Sequence, residues 1–300
     1  MHSHGHSHSR SSGSSESANT RIGWAFFLNI TFTIIEFIGG IYTNSTAILA
    51  DAVHDLGDSL SIGLSWILST LSGKDSNANF TYGYRRFSLL GAFINSIVLI
   101  AGSAWVLSKA IPELFDPQMP KVEGMLGLAV LGVVVNGFAA WKLSKGQTLN
   151  EKVLNWHLLE DVLGWVAVLI VSVILMFVDW PILDPALSIA FTLYILFNVG
   201  KNLWTTMQLF LQATPNKAMS DSIHQSLSAL TEVESIHHLH LWSLDGEHHV
   251  LTVHLVLHNI ESLEQQIQLK EKIAKNLKAF DLEHTTIEFE IGDENCRDHC

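Results

Sequence analysis

The chain has 300 residues, a mean hydropathy of +0.28 and 15% charged residues. A typical soluble domain carries about a quarter charged residues, so an ordinary soluble enzyme is excluded and membrane spans are expected. The net charge of −12, with histidine counted neutral, argues against a nucleic-acid partner and suits a protein that attracts cations.

Residues 1–20 begin MHSHGHSHSR and lack an apolar core, so they are no signal peptide. They read as a disordered, low-complexity tail whose histidines can bind metal weakly. Six apolar stretches follow. The first, 22–41, carries Glu36 as its one charge. The second, 46–71, holds Asp51, His54, Asp55 and Asp58. The third and fourth are 87–111 and 125–143. The fifth, 153–178, holds His157, Glu160 and Asp161. The sixth follows the breaks at Trp180-Pro181 and Asp184-Pro185 and runs to 211. Each approaches or exceeds about 20 residues, enough to cross about 30 Å of hydrocarbon as a helix.

Six spans put both termini on one side. Lys74, Arg85, Arg86, Lys142, Lys145 and Lys152 fall in the loops of that side. The opposite loops carry Lys121, apart from Lys109 within the end of the third span. The positive-inside rule then places both termini in the cytoplasm of a multi-pass protein of the cell (inner) membrane.

After Thr214-Pro215 the composition becomes that of a soluble domain. Residues 218–230 have helical spacing. Residues 235–244 and 249–257 are rich in β-formers and flank Asp245-Gly246, a hairpin turn signal. A helix over 262–277 and a half-buried strand over 285–291 complete an α-β-β-α-β order, which predicts a small α/β domain of ferredoxin-like type. The predicted organisation is a tail (1–20), a six-helix membrane domain (21–211), a cytoplasmic domain (212–292) and a polar tail (293–300). The two cysteines, Cys296 and Cys300, lie in that last tail, so the body holds no disulfide framework.

Ionisable residues within membrane spans are expensive and rare. His54 and Asp58 are four apart, as are His157 and Asp161, and residues four apart share a helix face. Asp51 and Asp55 have the same spacing, so spacing alone does not choose among the residues of the second span. The fifth span offers only His157 and Asp161, and a matching His-Asp pair is the simplest partner. Two imidazoles and two carboxylates suit tetrahedral Zn²⁺ and cancel its charge. Imidazole favours zinc, cobalt, nickel or copper, whereas an all-oxygen set favours magnesium, calcium or manganese. When the ion leaves, opposed carboxylates and free imidazoles take up protons. Metal and proton then compete for the same groups, which with alternating access makes a metal/proton antiporter. Zinc is thus substrate rather than cofactor. Asp51, on the outer side of His54, is placed to support the ligands, and Glu36 and Asn136 read as packing groups or as lining of an aqueous path. The rival readings are polar groups that merely pack helices, a membrane metal sensor or buffer that binds without transporting, and a membrane metalloprotease. The chain has no HExxH motif for the last.

LADAVHDLGD in the second span, WHLLEDVLGW in the fifth, TYGYRRFSLLGAFIN entering the third, and HHLHLWSL with TVHLVL in the soluble domain together resemble the cation diffusion facilitator family, in its zinc-transporter branch. The resemblance covers residues 21–290. It implies a homodimer that exports zinc from the cytoplasm in exchange for protons, with His54, Asp58, His157 and Asp161 at the transport site. It also implies that the cytoplasmic domain binds metal as a structural or regulatory ligand, through His237, His254, His284 and Glu290. Strand alternation agrees for His254, His284 and Glu290. It disagrees for His237, which shares the parity of the core residues Leu239 and Leu241 unless it escapes at the strand end. Cys296, His299 and Cys300 could close a further site with N-terminal histidines. The chain departs from the family in carrying Ser88 where Glu is frequent, and in lacking a His-rich loop between the fourth and fifth spans.

Overall fold

A computed structural model describes residues 12–72, 76–143, 149–258, 260, 262–291, 294 and 296. The chain divides into two compact units. One comprises the residues up to Trp66 together with Ile94–Lys201, and the other comprises Ile67–Phe93 together with the residues from Asn202 on.

Six long helices follow the six apolar stretches in order: α1 (Ser12–Thr43), α2 (Thr46–Ser72), α3 (Phe87–Glu113), α4 (Val122–Leu143), α5 (Leu149–Phe177) and α6 (Leu183–Phe210). Even the 22 residues of α4 span about 33 Å at 1.5 Å per residue. Among the described residues, five helices are long and apolar enough to cross a membrane. The other, α2, has 27 residues and departs from them through Asp51, Asp55 and Asp58. Helix α1 begins ten residues before its apolar stretch, inside the region expected to be unstructured. Once the apolar body nucleates a helix, extending it through residues without proline costs little. The histidines of the N-terminal tract lie outside the described residues.

Phe32, Ile48, Met125, Trp165 and Val168 fill the interior of the first unit, with the Phe32 ring edge-on to Trp165 at 5.7 Å. Large apolar side chains such as Ile38, Phe138, Leu163 and Phe177 are exposed, as hydrocarbon solvent allows. Because lipid provides no hydrophobic drive between helices, close backbone approach matters. A Cβ on Gly132 of α4 would lie 2.1 Å from Cδ2 of Trp165, whose side chain is 0% exposed. Gly132→Ala is therefore expected to destabilise by about 1–3 kcal/mol, seen as a lower melting temperature in detergent. Gly137→Ala on the same helix is the control, since its Cβ meets nothing within 4 Å.

The turn between α1 and α2 is tied to the start of α6. Asn44 takes a left-handed φ of 55°. Ser45 then caps α2, its Oγ accepting from the Ile48 amide at 3.2 Å. The buried carboxylate of Asp184 accepts from Ser45 Oγ (2.6 Å), the Thr46 amide (2.6 Å) and Thr46 Oγ1 (3.0 Å). Ser188 Oγ donates to the Thr46 carbonyl at 2.9 Å.

In the second unit, α7 (Lys217–Ser228), β1 (Val233–Ser243), β2 (His249–Leu257), α8 (Leu263–Leu277) and β3 (Leu282–Ile291) form the expected α-β-β-α-β order. The sheet order is β1-β2-β3, antiparallel between β1 and β2 and parallel between β2 and β3. Asn216 caps α7, and Ser262 with Gln265 makes a capping box on α8. Both helices bury their apolar stripes, including Ile223, Leu227, Leu269 and Ile273, against Leu251, Val253 and Leu255 of the central strand. This packing leaves the opposite face of the sheet for polar residues. Within the same unit, Arg85 from the loop before α3 donates to Glu283 at 3.0 Å and meets His248 Nε2 at 2.7 Å.

Candidate metal centres

Asp58 is the thirteenth of the 27 residues of α2, and Asp161 the thirteenth of the 29 residues of α5. Both therefore lie near mid-helix. Helix α5 starts at Leu149, four residues before the sequence places it, and this brings Asp161 deep enough to meet α2. His54 Nε2 lies 3.7 Å from Asp58 Oδ2 and 3.8 Å from Asp161 Oδ1. One ligand atom from each of the three residues falls within 4.8 Å of the others. Ligand atoms on one tetrahedral zinc sit about 3.4 Å apart, given bonds of about 2.1 Å. Both distances from His54 lie within a few tenths of an ångström of that separation.

His54 and Asp58 are 27% and 21% exposed and Asp161 is 6% exposed, so the centre is open on the α2 side and sealed behind. His157 stands one turn before Asp161 on α5, which puts it on the same face; its side chain lies outside the described residues. Asp51 is buried, and its Oδ1 lies 3.6 Å from where a Cβ on Gly164 would stand. It thus faces α5 within a turn of Asp161, and the small residue at 164 makes the room. Asp55 is buried on another part of α2, where Asn29 donates to its backbone carbonyl at 3.2 Å. Glu160 points away, toward the Tyr194 hydroxyl at 3.4 Å.

The second centre lies on the polar face of the sheet. His237 of β1 and His254 of β2 are direct partners in the antiparallel ladder. In the parallel ladder His254 pairs with Glu288, so Glu290 is one same-face step further along. Glu290 joins the two histidines, with Oε2 at 2.9 Å from His237 Nε2 and Oε1 at 2.9 Å from His254 Nδ1. Cys296 Sγ lies 3.5 Å from His254 Nδ1. Ligand atoms of these four residues all fall within 4.8 Å of one another. Burial pushes the Glu290 carboxyl up, but hydrogen bonds with His254, Cys296 and His237 outweigh it and hold the group below the ordinary glutamate range.

His237 reaches this face through a β-bulge. Three steps along β1 from His237 to His240 match two steps along β2 from His254 to Thr252. The extra residue, His238, takes a left-handed φ of 48°. The bulge lets Ile236 and Leu239, three apart, both pack on the core and turns His237 outward. Strand-end position is not what frees His237 from its parity. His284 does share the face of Glu290, but six residues separate them along β3, about 20 Å at 3.3 Å per residue. The structure sets the His284 ring against Tyr82, with centroids 5.6 Å apart, and does not bring it to the cluster. Cys296 holds the place expected of it. The signal available in the sequence was a soft ligand six residues past Glu290. His299 and Cys300 lie outside the described residues.

Helices that cross a membrane, with imidazole and carboxylate gathered at their middle, define a transporter of metal cations. Residues 24–211 match the cation efflux transmembrane domain, residues 215–291 match the cation efflux protein cytoplasmic domain, and the chain belongs to the cation efflux family. It is accordingly a multi-pass membrane protein. It is 32% identical to the cadmium, cobalt and zinc/H(+)-K(+) antiporter of Bacillus subtilis (strain 168), over 94% of this chain and 92% of that one. It is also 32% identical to the zinc transporter ZitB of Pectobacterium atrosepticum, over 95% and 90%. Identity is 30% to the metal cation efflux system protein CzcD of Cupriavidus metallidurans, over 87% and 83%.

Proposed function

We propose that the chain is a divalent metal cation efflux transporter, with zinc as its main substrate, which exchanges metal for protons by alternating access. The observation that carries this is the meeting of His54, Asp58 and Asp161 at mid-helix, with His157 on the same face of α5. A sensor or buffer needs no ligands at membrane depth; a carrier does. Nitrogen and carboxylate ligands suit zinc, and two carboxylates leave the loaded site near neutral, which eases its passage through a low-dielectric medium. The zinc and H(+) in the names of the relatives support the same reading. Both termini lie in the cytoplasm and the chain in the cell (inner) membrane on this reading, which the basic residues of the loops after the second and fourth spans support for the orientation. The cytoplasmic domain pairs two copies into a homodimer.

Metal uptake into inverted membrane vesicles, measured across zinc, cobalt, cadmium and nickel with and without an imposed pH gradient, tests this reading. Zinc flux that the gradient accelerates supports it. Binding without flux would make the chain a sensor or buffer.

The cytoplasmic domain binds a second zinc as a structural or regulatory ligand, held by His237, His254 and Glu290 with Cys296. In the full-length protein, Glu290→Gln is expected to weaken this site at least ~10-fold, whereas His284→Ala leaves its affinity within a factor of about three, given its distance of about 20 Å along the strand. Equilibrium zinc titration in detergent reads both. Equal losses would restore His284 to the ligand set.

A further inference from the structure

Glu36 of α1 belongs to neither metal centre. Its side chain is 0% exposed, and among the described residues the group within hydrogen-bond reach of its carboxyl is another acid, Asp55. The nearby amide of Asn29 is committed to the Asp55 carbonyl and to Ser59 Oγ, at 3.2 and 3.0 Å. The ionisable groups acting on Glu36 are all acidic: Asp51 and Asp55 from α2, with Asp55 inside hydrogen-bond reach, and Asp161 from α5. Helix α4 also packs on α1, and its charged residues, Glu123 and Lys142, are confined to its terminal turns.

An ionised carboxylate in such a place is cut off from solvent, has no counter-ion among the described residues, and faces other acids. That state is strongly disfavoured while the metal centre is empty. A divalent cation arriving among His54, Asp58 and Asp161 reverses the local field, because the bound ion's own charge dominates its neighbours. We propose that Glu36 is the proton-carrying group of the exchange, a proton site distinct from the metal ligands, which holds its proton while the metal centre is empty and releases it when the centre is loaded. One O–H bond breaks at the Glu36 carboxyl and one forms on the water molecule that carries the proton away, leaving a carboxylate. When the metal departs, a proton from the opposite side restores the neutral acid. This assignment deepens the metal/proton exchange proposed above and rests on it.

Proton release on zinc binding tests it, measured by calorimetry of the full-length protein in detergent in buffers of differing ionisation enthalpy, alongside proton-coupled zinc flux in proteoliposomes. Glu36→Gln keeps the shape of the side chain and removes its proton. It is expected to bind zinc within about threefold of wild type, to release about one proton fewer per zinc, and to move zinc without acceleration by a pH gradient. Glu36→Asp is expected to recover the missing proton. Unchanged proton release in Glu36→Gln, with wild-type coupling, would overturn the assignment alone. Loss of zinc binding in both variants would make Glu36 a structural group and overturn it too. Wild-type protein that moves zinc and no protons would overturn the exchange itself, and this assignment with it.

Discussion

Zinc flux into proteoliposomes is expected to fall at least ~100-fold in Asp161→Ala, to the level of protein-free vesicles. Asp161 is the described ligand that α5 brings to α2, with its carboxylate 3.8 Å from His54 Nε2 and almost no solvent contact of its own. Truncating a group that only supports a ligand already costs 10–100-fold in metal affinity, and in the proposed site Asp161 is itself a ligand. Its removal also leaves the ion with one carboxylate fewer, so a net positive charge must cross a low-dielectric medium, at a cost of at least ~2.5–3.5 kcal/mol. Asp161→Asn, which keeps size and one oxygen while losing the charge, is expected to fail nearly as badly; that result would separate charge cancellation from simple loss of a ligand atom. Zinc binding to the cytoplasmic centre should survive both changes. Flux that persists in Asp161→Ala would refute the site.

The second large effect is on stability. Asp184→Ala would strip acceptors from Ser45 Oγ, the Thr46 amide and Thr46 Oγ1 together, all within the protein interior. An orphaned buried donor costs about 1–3 kcal/mol, and partial relaxation brings the expected total to about 3–5 kcal/mol. For a chain of this size that is a drop of about 10 °C in melting temperature in detergent. Asp184→Asn retains one carbonyl acceptor and should lie between Asp184→Ala and wild type. A melting temperature unchanged in Asp184→Ala would mean that the turn after α1 does not depend on α6.

The contrast between these two aspartates shows what a sequence discloses. Asp161 was legible because an acid in an apolar stretch is costly and its spacing to His157 repeats that of His54 and Asp58. Asp184 reads locally as a loop residue before a proline. Its work is to cap a helix that begins 138 residues earlier in the chain, and no local pattern reports a contact of that range. The six spans and the α-β-β-α-β order were legible for the same reason as Asp161: burial imposes a period or a run length that the residues must display. The start of α5 was misjudged by four residues because polar residues before an apolar run can continue a helix unseen. In the cytoplasmic domain, alternation correctly placed His254, His284 and Glu290 on one face. Alternation gives a face and no position along it, so it could not separate Glu290, which closes the cluster, from His284, which lies far down the strand. Parity alone set His237 among the core residues, against its motif position, because parity counting assumes an unbroken ladder and the bulge at His238 breaks it.

That bulge makes the face shared by His237, His254 and Glu290 depend on how β1 pairs as well as on which residues it holds. With His238 in place, every residue of β1 before it is out of phase with those after it. Pairing the same residues without the bulge would swing His237 into the leucines and bring Ile236 to the face of His254 and Glu290, whereas excising His238 would join the two halves of β1 into an unbroken ladder that leaves both residues where they are.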